Sequence, residues 1–228
     1  MNELERDILN LFKKCNLENL SESNFEEHVL AVLPDDNYRW MCGASKLVLF
    51  FPDFPDFVVK IPFAGTHRKK RPGINTDVWN EDNYIFLPFE GAPYCEDSWD
   101  YCESETILYE SAKKFKVEEF FLETKLVGNS YGYPIYKQER GISFAASDRF
   151  KANITVEECS KAREMCSKSH IAQLPAKWVR DAIEYYGEKR VKKLLDFIYE
   201  EDIEDLHDEN LGYCNSKPII IDYSNFSS

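Results

Sequence analysis

The groups best suited to chemistry are concentrated near the C-terminal end of the chain. Asp205-Leu206-His207-Asp208-Glu209-Asn210 is followed, nine positions after Asn210, by the start of Ile219-Ile220-Ile221-Asp222. An amide oxygen at Asn210 and a carboxylate at Asp222 are hard oxygen donors of the kind magnesium takes, and a carboxylate at Asp205 can accept or orient the proton of a hydroxyl. A plainer reading makes Asp205, Asp208 and Glu209 a continuation of the acidic surface begun by Glu200, Glu201, Asp202 and Glu204. The apolar strand that ends at Asp222 favours the chemical reading, because it would deliver a second carboxylate to a defined place.

The elements that must position these groups follow from composition and periodicity. With 228 residues and 43% hydrophobic content, the chain can bury a substantial core as one large domain or as two small lobes. A formal charge of −13 argues against a nucleic-acid partner, since phosphate backbones are held by Lys and Arg. The concentrated basic run His67-Arg68-Lys69-Lys70-Arg71 reads as a solvated loop or an anion contact. Apolar runs such as Leu47 to Phe51 fall well short of the roughly 20 residues that span a bilayer, and no leader pattern opens the chain, so a cytoplasmic, unprocessed protein with no membrane partner is expected. Seven cysteines without a CxxC pair suit free thiols in a reducing compartment. Cys159, Cys166 and His170 make only a weak zinc set.

Apolar spacing predicts helices over Glu3 to Cys15 and Ser23 to Leu33. Strands are expected at Tyr38 to Cys42, Lys46 to Phe51 and Phe57 to Ile61, the last two joined by Pro52-Asp53-Phe54-Pro55-Asp56. Residues 64 to 98, rich in Gly, Pro, Asn and Asp and bearing Trp79, Tyr84, Phe86 and Phe89, read as a partly ordered insertion. A helix from Asp100 to Phe115 precedes strands at Phe120 to Val127 and Pro134 to Glu139. After Gly141 the pattern turns helical: Thr155 to Ser169, with Glu158 completing a capping box, then Pro175 to Tyr186, then a helix around Val191 to Ile198. A loop and hairpin carry the acidic motifs.

With those elements in order, the chain resembles the protein kinase-like superfamily, including small-molecule kinases of the aminoglycoside phosphotransferase type. Asp205-Leu206-His207-Asp208-Glu209-Asn210 matches the Asp-Leu-His-x-x-Asn catalytic loop, and Ile221-Asp222-Tyr223 resembles the metal-binding Asp segment. The resemblance implies Asp205 as catalytic base, Asn210 and Asp222 as magnesium ligands, and ATP as the nucleotide. Phe57-Val58-Val59-Lys60-Ile61 resembles the strand whose lysine contacts the phosphates, Glu105 is the implied partner of Lys60, with Glu103 and Glu110 as competitors, and Gln138-Glu139-Arg140 stands where the hinge would meet adenine. The implied fold is α+β and bilobal: a helical segment at 1–37, an antiparallel β N-lobe with one main helix at 38–140, including the insertion at 64–98, and a reduced, mostly helical C-lobe at 141–228.

The sequence also departs from that family. Gly43-Ala44-Ser45 offers one glycine where a Gly-rich loop would cover the phosphates. Ile203-Glu204-Asp205 replaces the usual His-Arg-Asp or His-Gly-Asp, and few residues follow Asp222, so the docking surface for a peptide substrate is expected to be reduced. Three readings result. The first is a phosphotransferase acting on an unknown hydroxyl-bearing small molecule or protein. The second is a non-catalytic kinase-like module whose aromatic insertion meets a protein partner. The third is an acidic α+β interaction protein in which Lys60 and Asp222 do not converge.

Overall fold

Alternation in the first half of the chain builds a sheet, and longer apolar spacing in the second half builds helices. The computed structural model describes residues 3–13, 39–42, 46–62, 68–70, 84–86, 100–130, 133–169, 171 and 174–223. Within it the chain is α+β and forms two units: Met1–Glu103 with Lys125–Gln138, and Ser104–Thr124 with Glu139–Ser228.

In the first unit, α1 (Glu3–Phe12) begins with Glu3 and Glu5, whose charge suits a helix N-terminus, and turns Ile8 and Phe12 inward. The strands β1 (Arg39–Cys42), β2 (Lys46–Phe50) and β3 (Phe57–Pro62) pair antiparallel in sequence, with Val48 opposite Lys60. Strands β6 (Thr124–Ser130) and β7 (Tyr133–Glu139) complete a five-stranded sheet ordered β1-β2-β3-β7-β6. Leu47, Leu49, Val59, Ile61 and Ile135 pack with Ile8 and Phe12 into one core. Two polar contacts tie α1 down: Lys137 Nζ lies 2.6 Å from Glu5, and Ser130 Oγ donates to the Phe12 carbonyl at 3.1 Å. In the expected insertion, β4 (Arg68–Lys70) and β5 (Tyr84–Phe86) form a separate antiparallel pair. The helix expected at Ser23 to Leu33, the Gly43-Ala44-Ser45 segment, Trp79 and Phe89 lie outside the described residues.

The second unit takes in most of α2 (Tyr101–Phe115), then α3 (Val156–Lys168), α4 (Ala176–Tyr186) and α5 (Glu188–Glu200). The Thr155–Glu158 capping box opens α3, Pro175 stands before α4, and Gly187 at φ 84° separates α4 from α5, a backbone angle that favours glycine. Trp178, Val179, Ala182, Val191, Leu194, Leu195 and Phe197 form the centre of a core that also takes Phe120, Phe121 and Tyr223.

Two expectations are corrected. The strand predicted from Phe120 begins only at Thr124, because Glu118–Phe120 make a 3-10 turn. The aromatic rings explain why: Phe120 stacks 4.2 Å from Tyr186 and Phe121 meets Phe197 at 5.7 Å, so both sink into the helical core instead of extending the sheet. The segment after Gly141, read as helical, first adds a short strand β8 (Ile142–Ser143) beside β9 (Leu211–Cys214), which pairs in turn with β10 (Lys217–Ile220). Gly212 permits that approach, since a Cβ there would meet the Ile142 carbonyl oxygen at 2.2 Å. No helix among the described residues is long and apolar enough to cross a membrane.

Candidate functional site

In the first unit, strand alternation gives β2 and β3 one apolar core face and an opposite face on which two lysines stand among Val48, Phe50 and Val58. Leu47, Leu49, Val59 and Ile61 face the core with α1, so Lys60 and Lys46 belong to the opposite side. Both lysines are buried, at 2% and 4% exposure, and Gln138 is buried as well. Lys46 was missed in the sequence because it opens a strand, where a solvated lysine is the ordinary expectation. On β7 the Tyr136 hydroxyl donates to Asp100 Oδ2 at 2.6 Å, while Asp100 Oδ1 accepts the backbone N–H groups of Cys102 and Glu103 at 2.9 and 3.0 Å. Burial raises the Asp100 carboxyl above its ordinary range, and these hydrogen bonds oppose the rise. The division between the units crosses the chain between Gln138 and Glu139.

In the second unit, the acid loop is shaped by apolar anchors that alternate with its polar groups. Ile203 and Leu206 are buried in the helical core, which leaves Asp205 and His207 facing outward. The Asn210 side chain then closes the loop on itself: Nδ2 donates to the Asp205 carbonyl at 2.8 Å and to its Oδ2 at 3.2 Å. With its NH₂ committed in this way, the Asn210 amide turns its oxygen toward any further partner. The Glu209 N–H donates to His207 Nδ1 at 3.2 Å, which makes Nε2 the proton-bearing nitrogen, 3.5 Å from Asp205 Oδ1.

The backbone brings the second motif to the first. The Asn210 carbonyl accepts the Ile221 N–H at 2.7 Å and the Asp222 N–H at 3.2 Å. The same loop is fastened to the start of the helical half, where Ala145 N–H donates to the Asp208 carbonyl at 3.1 Å and Phe144 N–H to the Leu211 carbonyl at 2.7 Å. Asp205, Asn210 and Asp222 are therefore gathered on one loop and strand end. Of these, the Asn210 amide oxygen and the Asp222 carboxylate are donors of the kind a hard divalent cation takes, while Asp205 lies on the same loop as Asn210. Among the described residues no three His, Cys, Asp or Glu side chains cluster as a metal site, so the amide is needed to complete such a set. Cys159 and Cys166 lie on α3, and His170 is outside the described residues.

Glu105 is fully buried in α2 and accepts a hydrogen bond from the Thr124 hydroxyl. Tyr223 belongs to the same neighbourhood: burial pushes its hydroxyl well above the usual tyrosine range, the Glu105 carboxylate adds to this, and hydrogen bonding from Thr124 works against it. Glu139 is exposed and engages the hairpin, accepting from Cys214 Sγ at 3.1 Å and from Asn215 Nδ2 at 3.4 Å. Arg140 is also exposed. Thr124 was not singled out in the sequence, and Tyr223 entered only as the last residue of the Asp222 motif with no role of its own, since nothing local distinguishes their side chains from ordinary strand and core residues.

The hairpin itself is braced from α4. Asp181 accepts from the Tyr213 hydroxyl at 2.6 Å and from Arg180 Nε and Nη2 at 2.9 and 2.7 Å, and Trp178 Nε1 donates to the Gly212 carbonyl at 3.2 Å. Burial and the Asp181 bond both push the Tyr213 hydroxyl above its normal range. A cavity of about 410 Å³ lies elsewhere in this unit, among Phe115, Ser169, Lys193 and Tyr199, and none of the candidate residues line it.

No protein-family model matches the chain, and no curated protein sequence matches it. Among solved structures, the chain is similar to APH(2″)-IIa in a streptomycin–ATP ternary complex, with 13% identity over 98% of this chain and 72% of that one and a TM-score of 0.32. It is similar also to APH(2″)-IIa in a gentamicin complex, with 14% identity over 91% and 71% and a TM-score of 0.32.

Proposed function

We propose that the chain is a kinase-like phosphotransferase that uses magnesium ATP to phosphorylate a hydroxyl-bearing acceptor, a small molecule or a protein. The observation that carries the reading is the junction at Asn210, whose carbonyl takes the Ile221 and Asp222 N–H groups at 2.7 and 3.2 Å while its side-chain amide secures Asp205. Three residues suited to this chemistry, drawn from two separated motifs, share that junction.

In this reading Asp205 is the base. The Asn210 amide steadies Oδ2, and Oδ1 is left beside His207 Nε2 on the exposed side of the loop, where an acceptor hydroxyl can give up its proton. Asn210 Oδ1 and the Asp222 carboxylate would hold magnesium, which supplies charge neutralisation for the phosphates when bound. The proposal also carries Lys60 as a phosphate contact, Glu105 as a helix residue of the site, and the Gln138-Glu139-Arg140 backbone as the adenine contact. The kinase-like division into a β N-lobe at 38–140 and a reduced helical C-lobe at 141–228 belongs to the same proposal.

The test is transfer of labelled γ-phosphate from ATP to sugars, nucleosides, amino alcohols and a protein extract by the wild type and by Asp205→Asn. The reading expects an acceptor in this set and a loss of transfer of about 10²- to 10⁴-fold in the variant. Transfer that persists undiminished in Asp205→Asn contradicts it.

A further inference from the structure

The strand end that carries Asp222 is held from two sides, and only one of them is the acid loop. On that side the Asn210 carbonyl takes the N–H groups of Ile221 and Asp222. On the other, a single residue of the α2–β6 connection grips the segment both before and after Asp222. The Leu122 N–H donates to the Ile220 carbonyl at 3.2 Å, and the Tyr223 hydroxyl donates to the Leu122 carbonyl at 2.8 Å. Leu122 thus forms a bracket around residues 221 and 222.

Packing alone does not require the phenolic oxygen. The Tyr223 ring is 1% exposed and meets the Phe121 ring edge-on at 4.9 Å, contacts that a phenylalanine would also make. What the hydroxyl adds is a directed bond that sets the distance between residue 223 and the Leu122 backbone. The rest of the neighbourhood is built to keep that backbone in place: Phe121 bridges to Ile220 in parallel, the Thr106 hydroxyl donates to the Thr124 carbonyl at 3.3 Å, and the Thr124 hydroxyl is fastened to Glu105. Asp222 therefore sits between a fixed carbonyl at Asn210 and a fixed bracket at Leu122.

We infer that the Tyr223 hydroxyl is a positioning group for the candidate metal carboxylate: its bond to the Leu122 carbonyl holds Asp222 beside Asn210. The inference rests on the phosphotransferase reading for the carboxylate's role, although the bracket itself does not. Without the hydroxyl the ring remains buried, but the Asp222 backbone can drift from the Asn210 carbonyl. Asn210 and Asp222, the residues that would hold magnesium, would then be a less organised pair of oxygen ligands.

The experiment compares the wild type with Tyr223→Phe by two readouts. Amide hydrogen exchange, measured without nucleotide, should accelerate at Ile221 and Asp222 by about two- to tenfold while α5 amides are unchanged. Calorimetry should show the magnesium concentration for half-maximal ATP binding rising by a similar factor, with magnesium-free ATP affinity unaltered. In wild-type protein, independently of any variant, the Tyr223 hydroxyl proton should give a slowly exchanging NMR resonance close to Leu122, and its absence overturns the inference. Unchanged exchange at both amides also overturns it, and so does acceleration spread evenly over the whole unit, which marks a general structural role. Failure of the wild type to bind magnesium ATP overturns the reading and the metal part of this inference. That failure is told apart from loss of the bracket, because exchange reads the bracket with no ligand present.

Discussion

Two carboxylates flank the β9–β10 hairpin and are treated in opposite ways. The Asp181 side chain is 1% exposed, while that of Asp205 is 40% exposed. Asp181 receives a tyrosine hydroxyl and two nitrogens of Arg180, with Arg149 Nη1 a further 3.4 Å away. Asp205 receives one long side-chain bond from Asn210 and lies beside an exposed imidazole. A buried carboxylate with its lone pairs taken is an anchor, because each bond to it fixes an element: Tyr213 on the hairpin, Arg180 on α4 and Arg149 on the turn before α3. A carboxylate with open lone pairs at the surface fixes little and stays available to a ligand. The difference separates the scaffold of this unit from its candidate chemistry.

The largest effect is expected at Asp205. Asp205→Asn should lower phosphoryl transfer by about 10²- to 10⁴-fold and leave the melting temperature unmoved; a large fall in melting temperature would make it a second anchor. Asp181→Ala should do the reverse, costing about 3 to 5 kcal/mol in urea denaturation because it strands Arg180 and the buried Tyr213 hydroxyl. Gly212→Ala tests the hairpin's approach to β8, where backbone and not a flexible side chain stands in the way, and should cost about 2 to 3 kcal/mol by the same measurement.

Smaller effects are expected away from both carboxylates. Thr155→Ala removes the α3 cap and should cost about 1 kcal/mol. Bonding to the Thr155 N–H and hydroxyl holds the Glu158 carboxyl below its usual range. The charged form is thus favoured by folding, so the cap's contribution is complete above the ordinary glutamate range and is lost as pH falls through the lowered folded value. The gap between wild type and Thr155→Ala should accordingly narrow in acid, as thermal melts across a pH series would record. Ser216→Gly should stabilise by a few tenths to about 1 kcal/mol, because Asn215 and Ser216 turn the hairpin at φ 49° and 67° and a serine at such an angle is strained.

What was legible in the sequence is what local chemistry dictates. Thr155 with Glu158 is a capping box in both, and the alternation in Lys46 to Phe51 and Phe57 to Ile61 becomes β2 and β3 paired through Val48 and Lys60. The acid loop was found because Asp205 and Asn210 are five positions apart, and one side chain bridges that span. The rest depends on partners distant in sequence. Tyr213 finds Asp181 from 32 positions away, and Tyr223 finds Leu122 from 101, so neither residue's type announces its role. Phe120 and Phe121 read as strand residues on propensity, and only the rings of Tyr186, Phe197 and Tyr223 make burial in the helical core the better outcome.

In the proposed function, Asp222 held beside Asn210 supports magnesium-dependent nucleotide binding. Calorimetric titration of magnesium ATP into wild type and a folded Asp222→Ala variant tests it before any acceptor is known. Saturable, magnesium-dependent binding to the wild type that is lost in the variant is expected. No binding to the wild type, or equal binding to both, would contradict it.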